Sequence, residues 1–248
     1  MRSNRVLIRV IPALAAALLA GACGGSDGGT AADASIDAPP GVCGAEALFT
    51  GAEINWFATD AVFCGVQGAT WTVRGDATRT ATTPPNGRFT LCVPHQAQTI
   101  VDITPPAAAS GCLTSDPTHY PRAAVAIATD AVLVAGGELT ARAMTQQQED
   151  AMFAQVGQPY AAAQGQLVVH VEGTVHAVSI SAAHAPAQQF TGSTWQAASD
   201  ANAPVGSDVW FPNVAPGTVE ITAQGDVTGT TTVSLEADRF TYVDLIGR

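Results

Sequence analysis

Apolar and polar residues alternate along most of the chain after residue 42, with the period of two that is typical of half-buried β-strands. The segment 68–75, for example, places Ala69, Trp71 and Val73 on one face and polar side chains on the other. Runs of the same kind recur between turns that contain Gly or Pro, at 79–83, 88–93, 99–104, 122–136, 165–173, 177–181, 208–225, 231–238 and 239–247. Short strands at regular spacing predict an all-β fold.

The segment 145–157 departs from this alternation and predicts one short helix. Thr145 is suited to the N-cap and has Gln148 three residues later, which is the spacing of a capping box. Gly157 is suited to the position that ends the helix. An apolar stripe that we expect to pack against the strands is formed by Met152, Phe153 and Val156.

The helix divides the strands into two groups. We expect a first β-sandwich over residues 42–144, a connecting helical segment over residues 145–163 and a second β-sandwich over residues 164–248. Much of the apolar content is alanine, which builds a thin core. Sandwiches of this composition are expected to be supported by disulfides.

The first 22 residues have the parts of a secretory signal peptide. Arginines come first, an apolar run over residues 10–19 follows, and small residues lead into Cys23. The apolar run is too short for a transmembrane helix, which needs about 20 residues. Residues 1–22 are therefore predicted to be an export signal.

The residues Ala20-Gly21-Ala22-Cys23 resemble the lipobox of bacterial lipoproteins. The resemblance implies that Cys23 is lipidated and becomes the first residue of the mature chain, which its acyl chains hold to a membrane. Gly24 after the cysteine implies the outer membrane, with the protein facing the periplasm or the cell surface. The alternative is an ordinary secreted protein cut near Ala22, with Cys23 free or paired.

Residues 23–41 are predicted to be the lipidated cysteine and a flexible linker. Gly, Ser, Ala and Asp dominate this stretch, and it has no apolar period. Its residues 24–28, GGSDG, match the G-x-S-x-G hydrolase motif. That motif requires a strand before the serine and a helix after it, and neither fits a spacer of this composition.

The balance of charge excludes some partners. All ten basic residues are arginine, and outside the predicted signal peptide seven of them face 21 acidic residues. Nucleic-acid binding requires a basic surface, so we expect no nucleic-acid partner. The absence of lysine from the sequence excludes a Schiff-base lysine.

The run 68–94 resembles the carboxypeptidase regulatory-like domain. The positions that fit its pattern, in order, are Gly68-Ala69, Val73, Thr82-Thr83, Asn86-Gly87, Phe89, Leu91 and Pro94. The resemblance implies a seven-stranded Greek-key sandwich of the transthyretin-like, or prealbumin-like, type, in which the first strand neighbours the fourth and the second neighbours the fifth. Residues 207–225 echo residues 87–104 more loosely, which implies that the second sandwich is a diverged copy.

The chain has five cysteines, and lipidation of Cys23 would leave four. Four cysteines allow three pairings. Alternating strand directions, starting from a first strand near residues 48–58, place Cys43 and Cys92 at one end of the first sandwich and Cys64 and Cys112 at the other, and the strand order implied by the family agrees. We therefore expect the disulfides Cys43–Cys92 and Cys64–Cys112, formed in the oxidising environment outside the cytoplasm.

The histidines do not have the spacing of known metal sites. No His is followed by Glu three residues later, and H-E-x-x-H is absent from the sequence. His170, His176 and His184 could meet at a metal if their strands faced one another, but histidines at strand ends are the simpler interpretation. The pair His119-Tyr120 supplies only half of the two His and two Tyr that intradiol dioxygenases use. We therefore predict no catalytic residues, no metal and no cofactor.

The tryptophans suggest an alternative activity. Trp71 is in phase with core residues, so we expect it to be buried. Trp210 is out of phase with its apolar neighbours Val209 and Phe211, which suggests that it is exposed, and Trp195 lies in a polar insertion at 184–206. Trp195 and Trp210 are therefore candidate sugar-stacking residues, although Trp195 could instead close over its own sandwich.

These observations predict a non-catalytic lipoprotein of the cell envelope that presents two β-sandwiches in a structural or adhesive role. The alternative is a carbohydrate-binding module, and an enzyme of unknown type ranks third. The expected partners are a membrane, through the lipid, and a glycan or another envelope protein.

Overall fold

The computed structural model describes residues 43–55, 64–94, 98–106, 123–127, 139–173, 175–190, 194–198, 207–225 and 229–247. The predictions for the signal peptide, for Cys23 and for the linker lie outside this part of the chain. The described residues form fifteen strands and one helix, which confirms the all-β prediction. None of the helical structure among them is long and apolar enough to span a membrane.

The strands are short and are separated by turns, as the alternation predicts. The elements in chain order are β1 (Ala47–Asn55), β2 (Thr70–Val73), β3 (Thr80–Thr82), β4 (Arg88–Val93), β5 (Thr99–Thr104), β6 (Ala123–Ile127), β7 (Leu139–Ala143), α1 (Gln146–Gln155), β8 (Gly165–Gly173), β9 (Val175–Ile180), β10 (Gln188–Phe190), β11 (Trp195–Ala197), β12 (Ser207–Val214), β13 (Gly217–Gly225), β14 (Gly229–Leu235) and β15 (Phe240–Gly247).

The described strands form three sheets. A central sheet of nine strands has the order β11-β10-β12-β8-β15-β6-β5-β2-β3, and two three-stranded sheets have the orders β4-β1-β7 and β14-β13-β9. The last strand, β15, lies inside the central sheet and runs parallel to both β6 and β8. Strands from both sides of the helix therefore share one sheet. The seven-strand count, the Greek-key order and the domain division at 145–163 stay predictions.

The central sheet contributes to two cores, one on each face. The first core also contains residues of β1, β4, β7 and the helix, and it includes Phe49, Trp71, Leu91, Val101, Phe153, Val168, Trp210 and Tyr242. The second core also contains residues of β13 and β14, and it includes Leu167, Val169, Val209, Phe211, Val219, Ile221 and Val233. Successive residues of β8 belong to different cores, so this strand is buried on both faces, as strands within layered sheets are.

The predicted inward faces of the strands are confirmed. The alternate residues of the predicted runs that are buried, in β2, β4, β5, β8 and β13 and just before β2, are Ala69, Trp71, Val73, Leu91, Val93, Val101, Ile103, Leu167, Val169, Val171, Val219, Ile221 and Ala223. Phe89, at an alternate position of the run 88–93, is half-buried and packs against the first core. The period of two therefore located most of the core.

The predicted neighbours in the first half of the chain are also confirmed. Strand β1 pairs antiparallel with β4, and β2 pairs antiparallel with β5. The predicted disulfide between Cys43 and Cys92 is present, with 5.4 Å between their Cα atoms. Cys64 is also disulfide-bonded, but its predicted partner Cys112 lies outside the described residues.

The helix has the capping that its sequence predicts. The Thr145 hydroxyl accepts a hydrogen bond from the Gln148 N–H at 3.2 Å, and the Gln148 side-chain oxygen accepts one from the Thr145 N–H at 2.9 Å. Gly157 follows the helix with a φ of +66°, a conformation that glycine adopts without strain. Met152 and Phe153 are buried and Val156 packs against the first core, so the predicted stripe is confirmed.

Three strands were not predicted. Strands β10 and β11 lie inside the segment that the sequence suggested was an insertion, and each has three residues, too few for an alternation to be visible. Strand β7 has buried residues at alternate positions, but two of the three are alanines, which give a weak apolar signal. These three segments form strands because each pairs with a neighbouring strand in a sheet, and their amino-acid composition contributes less.

Candidate functional site

The tryptophans predicted as sugar-stacking candidates are buried. Trp195 is 5% exposed and Trp210 is fully buried, so the expectation that Trp210 is exposed is wrong. The two rings lie 5.5 Å apart between centroids, and Phe153 of the helix packs edge-on against Trp210 at 5.0 Å. A ring that stacks on a sugar needs an open face, and neither ring offers one. Trp195 instead closes over the core of its own fold, as its alternative interpretation proposed.

The physical reason lies in the central sheet. Trp210 lies between Val209 and Phe211, whose side chains belong to the second core. In a sheet with one face exposed to solvent, the alternation of side chains would leave Trp210 on the exposed face. Because β12 and its neighbour β8 are buried on both faces, the opposite orientation leads into the first core. The indole N–H of Trp210 donates a 3.3 Å hydrogen bond to Gln166, itself fully buried.

The histidines with described side chains are engaged in local contacts. His170 binds Asp208, and His184 lies 2.6 Å from the Ala185 carbonyl oxygen and edge-on against Phe211. The described residues contain no group of three metal-ligating side chains. The side chain of His176, and all of His95, His119 and Tyr120, lie outside what the structure describes. The predicted absence of a metal or cofactor stays a prediction.

A small cleft between β7 and strands β8, β12 and β15 contains a cluster of charged side chains. Asp208 of β12 lies opposite His170 of β8 in the strand register. An Asp208 carboxylate oxygen is 2.7 Å from Nδ1 of His170, and the other accepts a 3.2 Å hydrogen bond from Nε of Arg142. Arg142 belongs to β7, so this carboxylate connects two sheets.

Burial and charge act in opposite directions on Asp208. Its side chain is 11% exposed, and burial on its own would raise the pKa of the carboxyl group. The hydrogen bond from His170 and the positive charge of Arg142 outweigh that effect and hold the pKa of Asp208 below its ordinary value. Asp208 is therefore a carboxylate at neutral pH, and its charge is balanced by Arg142.

Arg142 is held by three other strands. The Tyr242 hydroxyl on β15 donates a 2.8 Å hydrogen bond to the Arg142 main-chain oxygen. The guanidinium carbon lies 5.6 Å from the centroid of the Phe190 ring on β10, within the range of a cation–π interaction. Together with the ion pair to Asp208, these contacts fasten β7 to the central sheet.

The chemistry open to this cluster is limited by its surroundings. A carboxylate that binds one ring nitrogen orients an imidazole, as it does in general-base dyads. Here Arg142 neutralises the same carboxylate, and the cleft has space for about one water molecule. The geometry supports a role in joining strands more strongly than a role in binding a substrate.

A second set of charges lies at the surface. Arg74 and Arg239 each contact both Asp102 and Glu236, with Arg239 2.7 Å from Asp102 and Arg74 2.6 Å from Glu236. Burial of Asp102 opposes ionisation, but the two arginines hold its pKa below the ordinary value. These side chains are 22–42% exposed, so the network adds little stability, although it ties β5 to the turn before β15.

Comparison with known proteins gives no family for the chain. No family model matches it, and no curated protein is significantly similar to it. Two solved structures resemble it weakly. One is the Bacillus anthracis TIE protein, with 8% identity and a TM-score of 0.27 over 81% of this chain and 33% of that one, so that the chain spans about a third of that protein. The other is CBMbc, a family CBM26 module of Eubacterium rectale Amy13K solved in complex with maltoheptaose, with 11% identity and a TM-score of 0.26 over 82% of this chain and 94% of that one.

Proposed function

We propose that the chain is a non-catalytic lipoprotein of the bacterial outer membrane whose β-sheet body has a structural or adhesive role. The sequence Ala20-Gly21-Ala22-Cys23, followed by the spacer to residue 41, supports an anchor at Cys23. Its membrane attachment would come from the acyl chains, since outside the predicted signal peptide seven arginines face 21 acidic residues, a balance that does not favour binding to anionic lipid. The β-sheet body would meet another envelope protein or a glycan.

The disulfide between Cys43 and Cys92 is the observation that carries this proposal. Stable disulfides form in oxidising compartments, so the bridge supports export from the cytoplasm. Cys43 also comes two residues after the predicted linker ends. The bridge therefore lies where a tether from the membrane would enter the fold.

The surroundings of the bridge suit a protein that is pulled from its anchor. Strand β1, which follows Cys43, is hydrogen-bonded to β4 on one side and to β7 on the other. A pulling force along the linker would pass through the Cys43–Cys92 disulfide directly into β4. Strand β1 therefore could not separate from the sheet alone. Arg142 and Asp208 then link β7 to the central sheet. A connected path of this kind is what a structural or adhesive protein requires.

The anchor can be tested by phase separation. The full chain, expressed in a bacterium with an outer membrane, should enter the detergent phase of Triton X-114 and incorporate a labelled fatty acid. Cys23→Ala should move it to the aqueous phase without label, because the acyl chains supply the membrane affinity. Ser26→Ala, a change in the same linker, is the matched control and should behave as the wild type. Detergent partition that survives Cys23→Ala would contradict the anchor.

The non-catalytic part of the proposal can be tested at the charged cleft. Purified protein should give no turnover with panels of ester, peptide and glycoside substrates. Turnover that is lost in Asp208→Asn and retained in Glu220→Gln, an exposed control, would show that the cluster of Asp208 and His170 is catalytic and would refute this part.

A further inference from the structure

The side chain of Glu53 carries a carboxyl group that is buried in the first core. It lies on β1 and is 3% exposed. One carboxyl oxygen accepts a 2.9 Å hydrogen bond from the indole N–H of Trp71. The Trp71 ring packs against Phe89 at 4.5 Å and against Phe49 at 6.1 Å between centroids. The carboxyl group is thus placed beside an aromatic cluster, which solvates an anion poorly.

Among the described residues, the elements packed around Glu53 place no countercharge on its carboxyl group. Its register neighbour on β7 is Ala141, and the adjacent Arg142 has its guanidinium on Asp208. Arg88 of β4 is exposed and pairs with Ala52. From β15 the facing titratable group is Tyr242, whose own pKa is raised first by burial and also by the negative charges of Glu53 and Asp208.

This environment favours the neutral acid. Burial raises the pKa of Glu53 to about 7, against the smaller opposing effect of the Trp71 hydrogen bond. Above that pH an ionised Glu53 would be a buried negative charge that acts on Tyr242, and desolvation makes such a charge costly.

The backbone of Glu53 holds together three segments of the chain. Its N–H donates to the Gly87 carbonyl oxygen at 3.0 Å, and its carbonyl oxygen accepts from the Val66 N–H at 2.9 Å. The Asn86-Gly87 turn packs so closely that a Cβ on Gly87 would lie 2.2 Å from the Glu53 oxygen, and one on Gly65 would lie 2.3 Å from the Asn86 carbonyl carbon. We call this arrangement of Glu53, Gly65, Val66, Asn86 and Gly87 the β1 clamp.

We propose that Glu53 is a pH-sensitive lock on the β1 clamp: the neutral acid keeps the clamp closed, and ionisation of the buried carboxyl group loosens it. The clamp holds β1 to the turn before β4 and to the segment next to the disulfide-bonded Cys64. The clamp is tightest in acid and opens more often as the pH rises towards neutrality. This device is independent of the anchor at Cys23.

The direction of the pH effect follows from proton linkage. The unfolded chain releases the Glu53 proton near the ordinary pKa of 4.5, whereas the folded protein keeps it to about 7. Between these values the folded state binds more protons, so its stability falls as the pH rises, and the fall levels off above pH 7. The contribution of Glu53 to stability is therefore fully present below about pH 4.5 and is lost across this window.

Urea unfolding of the wild type and of Glu53→Gln tests the proposal. Glutamine keeps the shape of the neutral acid and cannot ionise. Relative to the variant, the wild-type unfolding constant should rise by about tenfold for each pH unit across the window and then stay level. The exposed Glu220→Gln serves as the control and should follow the wild type. Parallel curves for the wild type and Glu53→Gln would overturn the proposal.

Hydrogen exchange in the wild type gives a readout that does not depend on the folding of a variant. The Val66 amide, which donates to the Glu53 carbonyl oxygen, should lose protection as the pH rises from about 4.5 to about 7, after correction for the intrinsic exchange rate, and should then stay level. The Ile221 amide, in the second core, should lose no more protection than the fall in global stability measured with urea. Unchanged protection of the Val66 amide across this window would overturn the proposal, since it would show that ionisation does not act at the clamp.

Discussion

At the scale of single residues, the alternation of apolar and polar residues predicted burial well in strands that have one solvent-exposed face. It failed in strands that are buried on both faces. Trp71 was placed correctly because its neighbours on β2 are polar and half-buried. Trp210 was placed wrongly because Val209 and Phe211 fill one core while Trp210 fills the other. The partners of Asp208 could not be predicted, since His170 and Arg142 lie 38 and 66 residues away in the sequence.

The ion pair of Asp208 with Arg142 should contribute to stability. Asp208→Asn removes the charge that compensates Arg142, whose side chain is 17% exposed, and should cost about 2 kcal/mol of unfolding free energy at pH 7. Because the pKa of Asp208 is lowered in the folded protein, this contribution is present above the ordinary aspartate pKa and is lost as the pH falls through the folded value. Urea unfolding at pH 7 and in strong acid measures both effects. A difference between wild type and variant that is the same at both pH values would contradict this account.

At the scale of elements, the helix was predictable because its signals are local. The Thr145 cap, the Gln148 partner and the Gly157 stop all lie within 13 residues and do not depend on the rest of the fold. Strands β7, β10 and β11 depend on distant partners, and their sequences are too short or too rich in alanine to show a period. The length and composition of a strand therefore decided whether it was found.

Loss of the helix cap should have a measurable cost. Thr145→Ala removes the side-chain oxygen that accepts from the Gln148 N–H, and caps of this kind contribute about 1 kcal/mol. Thermal and urea unfolding, followed by circular dichroism, measure the loss. The matched control is Gln147→Ala, an exposed position inside the same helix that should change stability by less than about 0.5 kcal/mol. Equal stability of the two variants would refute the role of the cap.

At the scale of the whole molecule, local sequence patterns could not predict which distant strands pair in a sheet. The neighbours β1–β4 and β2–β5 followed from the family resemblance, but the parallel pairing of β15 with β6 and β8 brings together segments about 70–120 residues apart. No periodicity within a segment reports such a partner. Disulfide partners are easier to predict from the sequence than strand partners, because four cysteines leave only three possible pairings.

The most direct test of an exported and anchored protein is one non-reducing peptide map of the chain isolated from the bacterial envelope. Mass spectrometry should find a peptide pair joined through Cys43 and Cys92, a second pair joined through Cys64 and Cys112, and an N-terminal peptide that begins at an acylated Cys23. Each bridge encloses a loop of about 50 residues, which the chain-entropy estimate values at roughly 4 kcal/mol. A Cys23 peptide that is unmodified or linked to Cys64, or free thiols at Cys43 and Cys92, would contradict the account.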